Sequence, residues 1–280
     1  MPDIDRPRSD GLAFDRVAAL YDQVRPDYPA ELYADLAELT GLRPGARLLE
    51  VGSGTGKATA AMAGRGHQIV CLEPGAAMIE IARARQAAQG VSASEVRFAN
   101  TTFENWDPDG STFDLVYAAT SWHWVDPSVG YPKAAALLAP RGSLAIWYSE
   151  HGFPEGFDPF FTEIQDVYDR LTGPTGHPWP PPRPDEAPDL SAEIEASGCF
   201  GQVAVRRYLW ERDYTAEEFI ALHSTFSSHL TMDPATRQAL YAEMRARIAR
   251  RPGGTVTRHW LAILNVARPP SLGQPPAAVS

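Results

Sequence analysis

From Ala46 onward the chain alternates short, continuous apolar runs with stretches in which apolar residues recur every three or four positions. The runs ARLLEVG, HQIVCLEP, EVRFANT, FDLVYAAT and GSLAIWYS read as strands buried on both faces, because a strand with one wet face would alternate apolar and polar residues. Between them, KATAAMAGRG and GAAMIEIARARQAAQG read as helices closed by a glycine, which supplies the left-handed cap a helix end wants. A shorter segment around Phe103 to Thr112 joins the third and fourth runs, and YPKAAALLAPRG predicts a helix with a turn at its end. Strand and helix in alternation predict an α/β fold, a parallel sheet wrapped by helices.

Ahead of the sheet, FDRVAALYDQVRPDYPAELYADLAELTG predicts two helices broken at ArgProAspTyrPro, since each proline disfavours helix in the residue before it. Beyond the fifth run the pattern changes. EIQDVYDRLTG and LSAEIEASG read as helices on either side of a proline-dense exposed connector, TGHPWPPPRPDEAPD. TAEEFIALHSTFSSHL and the segment from Thr236 to Arg250 predict cap helices, flanked by strand candidates QVAVRRYLWERDY and TVTRHWLAILNVAR that complete the sheet at one edge. The expected division is a helical lid at 1–40, a core at 41–150, a cap with completing strands at 151–268 and a disordered proline-rich tail at 269–280.

Composition narrows the classes of function. A net charge of −10 opposes general affinity for phosphate backbones, and the one basic cluster, Arg245 to Arg251, has the spacing of a solvated helix end. Nucleic acid is therefore disfavoured as a partner. No apolar run is long enough for a bilayer, and MPDIDRPRSDG has no secretory core, so a soluble cytoplasmic protein is expected. Cys71 and Cys199 are far apart and read as buried thiols, and His223, His229 and His259 have no metal-site spacing, so metal independence is expected.

The candidate chemistry begins at LLEVGSGTGKAT. A triphosphate loop requires GxxxxGK followed by Ser or Thr, but Val51 holds the first glycine position and Ala58 follows Lys57. A dinucleotide fingerprint wants its third glycine where Lys57 stands. Lys57 therefore reads as a helix-face residue. Acidic-Val-Gly-x-Gly-x-Gly does fit, with Glu50, Gly52, Gly54 and Gly56 at a strand-to-helix turn, and Glu73 ends the next strand roughly 20 residues on, where a carboxylate can accept from ribose hydroxyls.

These motifs, with LEPGAAM, NTTFENW and AATSWHWVDP after successive strands, resemble the class I S-adenosylmethionine-dependent methyltransferases. Within that family the resemblance points to the small-molecule branch, the trans-aconitate methyltransferase-like and ubiquinone-biosynthesis-like group. It covers roughly Phe14 to Trp147. It implies a Rossmann-like class I methyltransferase sheet of about seven strands, mostly parallel with an antiparallel edge, under an N-terminal helical lid and a C-terminal helical cap. It further implies S-adenosylmethionine as cofactor and S-adenosylhomocysteine as product. Glu50, Gly52, Ser53, Gly54 and Gly56 would hold its amino-acid end and Glu73 its ribose. Pro74, Met78, Thr102 and Phe103 would pack at its adenine, and Ala119, Thr120 and Tyr21 around its methionine portion. Thr102 stands where many relatives have an acidic residue.

On the acceptor side the resemblance implies Trp122, His123, Arg25 and Tyr28, with His123 the base if the acceptor is a hydroxyl. The expected function is methyl transfer to a small molecule, with O-methylation of a hydroxyl or carboxylate favoured. The aromatics Phe153, Phe157, Phe160, Phe161, Tyr168, Trp179, Trp210 and Phe226 suit a cap over an apolar acceptor, or equally a packed core. The competing readings are an adenosylmethionine-binding regulatory protein without turnover and a nicotinamide-dependent oxidoreductase.

Overall fold

In the computed structural model, residues 14–92, 94–173 and 178–270 are described. The polar start at 1–13, part of the proline connector and the tail from 271 lie outside the described residues. The elements follow the order α1(Ala18–Val24), α2(Ala30–Thr40), β1(Arg47–Val51), α3(Lys57–Ala63), β2(Gln68–Leu72), α4(Ala76–Ala88), β3(Val96–Ala99) and β4(Phe113–Ala119). There follow a 3-10 turn (Trp122–Trp124), α5(Pro127–Leu137), β5(Leu138–His151), α6(Phe160–Thr172), α7(Ser191–Ala196) and β6(Ala204–Thr215), then α8(Ala216–His223), α9(Ser227–Leu230), α10(Pro234–Ala249) and β7(Thr255–Ala267).

The strands form one seven-stranded sheet in the order β3-β2-β1-β4-β5-β7-β6. β1 to β5 pair in parallel, while β7 runs antiparallel to both β5 and β6. The reversed strand is thus one place in from the edge, with β6 outside it. The order reverses at β1, which continues to β2 and β3 on one side and to β4 on the other, and such a switch point opens a crevice at the carboxyl ends of the strands.

Both faces of the sheet are covered, as the continuous apolar runs require. β1 alternates Leu48 toward Leu32, Tyr33 and Leu36 of α2, and Leu49 and Val51 toward Tyr131, Ala134 and Leu137 of α5. α2 therefore packs into the sheet's own core. A separate cluster joins α6, α8 and α10 through Phe160, Phe161, Phe219, Leu240 and Met244, with Trp260 of β7 beneath them. Cys71 is buried as expected, whereas Cys199 is only half-buried.

Two boundaries differ for local reasons. Leu138 already pairs with Phe113, and the chain passes a left-handed Arg141 (φ 71°) before regular register resumes at Ser143, so β5 starts within the expected turn. The single helix expected over 215–230 is two. A capping box between Thr215 and Glu218 starts α8, and the Thr225 hydroxyl turns back to donate to the Leu222 carbonyl (2.7 Å), competing with the helical ladder at the break.

Candidate active site

The glycine run lies at the switch point. Gly52, Gly54 and Gly56 have φ of 69°, 54° and 78°, a region that residues with a Cβ rarely enter. A Cβ on Gly52 would stand 2.5 Å from that of Ser121, and one on Gly56 2.9 Å from that of Ala82, whereas one on Gly54 would meet nothing within 4 Å. The first and last positions therefore close the loop against its neighbours, and the middle one faces open space. The Ser121 hydroxyl donates to the Val51 carbonyl, tying the turn after β4 to the end of β1.

Glu50 is 0 % exposed. Its Oε2 accepts from Thr59 Oγ1 (2.5 Å), Tyr117 OH (2.8 Å) and Cys71 Sγ (3.7 Å), while Oε1 is buried with no partner. Burial pushes its pKa up to about 7, against the pull of those hydrogen bonds. The Ser53 and Thr55 hydroxyls along the same loop are also buried without partners. Orphaned polar atoms carry a desolvation cost of about 1–3 kcal/mol each until something supplies their hydrogen bonds.

Glu73 is 8 % exposed and spans the loop. Gly54 N–H donates to its Oε2 and Gly75 N–H to its Oε1, each at 2.8 Å, and burial raises its pKa while these donors lower it. Each oxygen keeps a lone pair for a hydroxyl. Asn100 Nδ2 donates to the carbonyls of Glu73 (3.0 Å) and Pro74 (2.9 Å), which fixes the LEP corner. Asp15, from the turn before α1, accepts from the N–H groups of Ala77 (2.7 Å) and Met78 (3.2 Å) at the start of α4, so the preface reaches over Glu73. Lys57 pairs with Asp27 (3.0 Å), in keeping with a helix-face role.

Other expected site residues are placed differently. Phe103, at 2 % exposure, and Trp122, at 4 %, are in the core beside α5, with ring centroids 5.9 Å apart and Trp122 against Tyr131 at 5.2 Å. Both rings bury their apolar surface in the layer between β4 and α5. Met78 is likewise buried, touching the Gly75 corner, and Thr102 accepts from Asn105 N–H at 3.4 Å. β4 ends at Ala119, and Thr120 follows it at the carboxyl edge of the sheet. Thr120 holds a left-handed φ of 58°, costly for a β-branched residue, and its hydroxyl meets Tyr28 OH (2.7 Å) and accepts from Ser149 N–H (3.2 Å). His123 is half-buried on the 3-10 turn, its ring 4.7 Å from that of Trp124.

Arg25 does not offer a free guanidinium. Its Nε donates to Thr225 Oγ1 (2.9 Å) and Nη2 to the Thr225 carbonyl (3.0 Å), and Phe226 lies beneath it at 4.3 Å, so it clasps the preface to the cap at the α8–α9 break. Tyr21 packs on Phe14 (6.0 Å) and against Arg25 (5.1 Å).

Two further histidines bear on the site: His223, one of the three distal histidines of the sequence, and His151, which no motif signals. His223 is buried, with Nδ1 2.8 Å from the Phe219 carbonyl, and burial holds its pKa well below the usual histidine range. A neutral ring with Nδ1 as the donor leaves Nε2 an acceptor. His151 ends β5, stacked on Phe153 at 4.0 Å and edge-on to Phe161 at 4.1 Å, and is also kept neutral by burial. Among the described residues no group of three or more His, Cys, Asp or Glu is arranged to hold a metal ion, and no helix is long and apolar enough to cross a membrane.

Residues 48–142 match a family model described as a methyltransferase domain. An uncharacterized methyltransferase of Mycobacterium bovis is 30% identical over 174 residues, covering 60% of this chain and 66% of that protein. A protein-L-isoaspartate O-methyltransferase of Methylorubrum extorquens is 38% identical over 116 residues, 41% of this chain and 47% of that one. The chain thus spans less than two thirds of the length of these curated relatives. Among solved structures, a methyltransferase from Geobacter sulfurreducens, described as SAM-dependent and in complex with S-adenosyl-L-homocysteine, superposes with a TM-score of 0.52. It is 16% identical, and the match covers 95% of this chain and 100% of that one.

Proposed function

We propose that this chain, which carries a methyltransferase domain on a Rossmann-like class I methyltransferase sheet, is an S-adenosylmethionine-dependent methyltransferase acting on a small molecule beneath its helical cap. The observation that carries the reading is the set of unsatisfied polar atoms on the glycine loop. Glu50 Oε1, Ser53 Oγ and Thr55 Oγ1 lie buried without partners around the one glycine that faces open space. These groups suit an ammonium and carboxylate, and the paired Glu73 oxygens suit adjacent ribose hydroxyls. Bound there, the cofactor supplies an activated methyl group on a sulfonium.

The protein's part is placement and exclusion of water. In-line displacement needs the acceptor collinear with the methyl group in a dry site, and such positioning supplies a large share of the acceleration. In this reading Ala119 and Thr120 form the wall at the end of β4, with Tyr28 holding Thr120 by its hydroxyl. An oxygen acceptor is favoured, a hydroxyl or a carboxylate. For a hydroxyl, His123 on the turn after β4 takes the departing proton; for a carboxylate no base is needed.

Calorimetry with S-adenosylmethionine and S-adenosylhomocysteine, followed by release of the latter from a labelled donor and a metabolite pool, tests the proposal. Glu73→Gln is expected to weaken cofactor binding about 10- to 100-fold, the worth of hydrogen bonds to a charged group. Unchanged affinity in a folded Glu73→Gln protein, or preferential binding of a nicotinamide cofactor, sinks the reading. Tight binding without transfer to any acceptor favours a regulatory protein.

A further inference from the structure

Beside the carboxyl end of β5 lies a buried charge that no described residue pairs with. Arg258 lies near the start of β7, which runs antiparallel to β5, so it stands beside the end of β5 where His151 pairs with Trp260 across the ladder. It is 5 % exposed. Its guanidinium lies 4.3 Å from the ring of Trp260 and 5.5 Å from that of Phe226, and its Nε is buried with no acceptor. No hydrogen bond or ion pair joins it to any described residue.

The other arginines near it are spoken for. Arg25, against the same Phe226, spends its guanidinium on Thr225, and Arg251 is paired with Asp158. The groups that act on Arg258 electrostatically give it no counter-ion in contact. Tyr214 OH accepts from Trp260 Nε1 (3.0 Å), Tyr168 OH meets His229 Nε2 (2.9 Å), and Glu150 favours the Arg258 charge electrostatically. Arg25 opposes it, and burial lowers its pKa to about 9, which still leaves a cation at neutral pH. His151 and His223 are kept neutral nearby. An unpaired buried cation costs several kcal/mol, and a fold has no packing reason to keep one where Met would fill the same space.

We propose that Arg258 is an acceptor-binding residue, pairing through its planar fork with a carboxylate on an aromatic or hydrocarbon acid held between Trp260, Phe226 and His151. The identity of the wall supports this class. Rings against the guanidinium face leave its N–H edge for an in-plane, two-oxygen anion, and the same rings suit an apolar body. The site is linked to the cofactor end through neighbours, since Arg25 lies close to Tyr28, and Tyr28 meets Thr120 at the end of β4. The inference rests on the methyltransferase reading for the name acceptor, but the anion site itself is read without it.

The test titrates the full chain, with and without saturating S-adenosylhomocysteine, with benzoate and phenylacetate, with benzamide and phenylacetamide, and with phenyl phosphate. The acids are expected to bind at least about 10-fold more tightly than their amides, and Arg258→Met to erase that preference. The unliganded Arg258→Met protein is expected to melt at the same or a higher temperature, and Arg258→Lys to retain part of the preference. A purely structural arginine would instead lower the melting temperature and leave the preference intact. Equal binding of acids and amides, binding of phenyl phosphate alone, no binding of any anion, or an undiminished preference in Arg258→Met overturns the assignment. Loss of S-adenosylhomocysteine binding by the wild-type chain would fail the methyltransferase reading alone, because the acid and amide titrations are read in its absence.

Discussion

At the proposed cofactor end, Glu50, the three left-handed glycines, Glu73 and Gly75 all fall between residues 50 and 75, and backbone N–H groups of that same stretch hold the Glu73 carboxylate. At the cap end, Arg25, His151, His223 and Arg258 arrive from distant parts of the chain, and Arg25 reaches its partner Thr225 across 200 residues. One end is assembled by a strand-to-helix turn and its neighbour. The other exists only once β7 has slotted between β5 and β6. Local assembly favours a fixed ligand, while assembly from scattered segments allows one wall to vary without disturbing the floor.

The comparison is broken most severely at Gly52. Gly52→Val places a Cβ 2.5 Å from that of Ser121 on a left-handed backbone, and strain plus overpacking are expected to cost roughly 4 kcal/mol, read by denaturant unfolding. A variant of wild-type stability would show that the turn after β4 yields freely. Next comes the pH dependence of Glu50. Its folded pKa of about 7 exceeds the ordinary 4.5, so the native state binds the proton more tightly. Its stabilising contribution is full below about pH 4.5 and is lost as pH rises through 7, on the order of 3 kcal/mol. Glu50→Gln is expected to flatten unfolding free energy across that window; an unaltered slope would place the titration elsewhere.

His123→Ala sharpens the division between the two ends. With a hydroxyl acceptor, kcat is expected to fall about 100-fold while cofactor affinity holds, the worth of a positioned base. Unchanged turnover across pH would move proton transfer away from the turn after β4, with His223 the next group to test. The smallest effect belongs to the clasp. Arg25→Met removes two hydrogen bonds to Thr225 at a cost of about 1–2 kcal/mol and is expected to speed amide exchange in α8 and α9 while leaving β1 and β2 protected. Faster exchange throughout the sheet would show that preface and cap are not a separable layer.

The same contrast decides what could be read from the residues. The glycine run, Glu73 and the five parallel strands were legible because each signal is local, a turn chemistry or a run of apolar residues. Trp122 and Phe103 follow strands at the carboxyl edge, and the packing of their rings against the α5 layer is a tertiary contact that the motif alone does not show. Arg258 carries a faint signal, an arginine two residues from Trp260 on a strand face whose other residues are apolar. Its meaning depends on the absence of a partner, which no spacing reveals. Arg25 is a site candidate only through the resemblance of YDQVRPDYP to a family lid, and its partner sits at a helix break that the continuous pattern of 215–230 conceals.

The reversed direction of β7 gives the molecule a seam. Every parallel strand delivers the end of a strand to the crevice, but β7 delivers its beginning, immediately after Pro252 to Gly254. On the proposed assignment of Arg258, acceptor-facing residues can be exchanged by rewriting the start of one strand, with the sheet's register downstream of Trp260 left in place to pin it. On that assignment, changing the proposed acceptor and preserving the proposed methyl donor are separate edits, made far apart in the polypeptide.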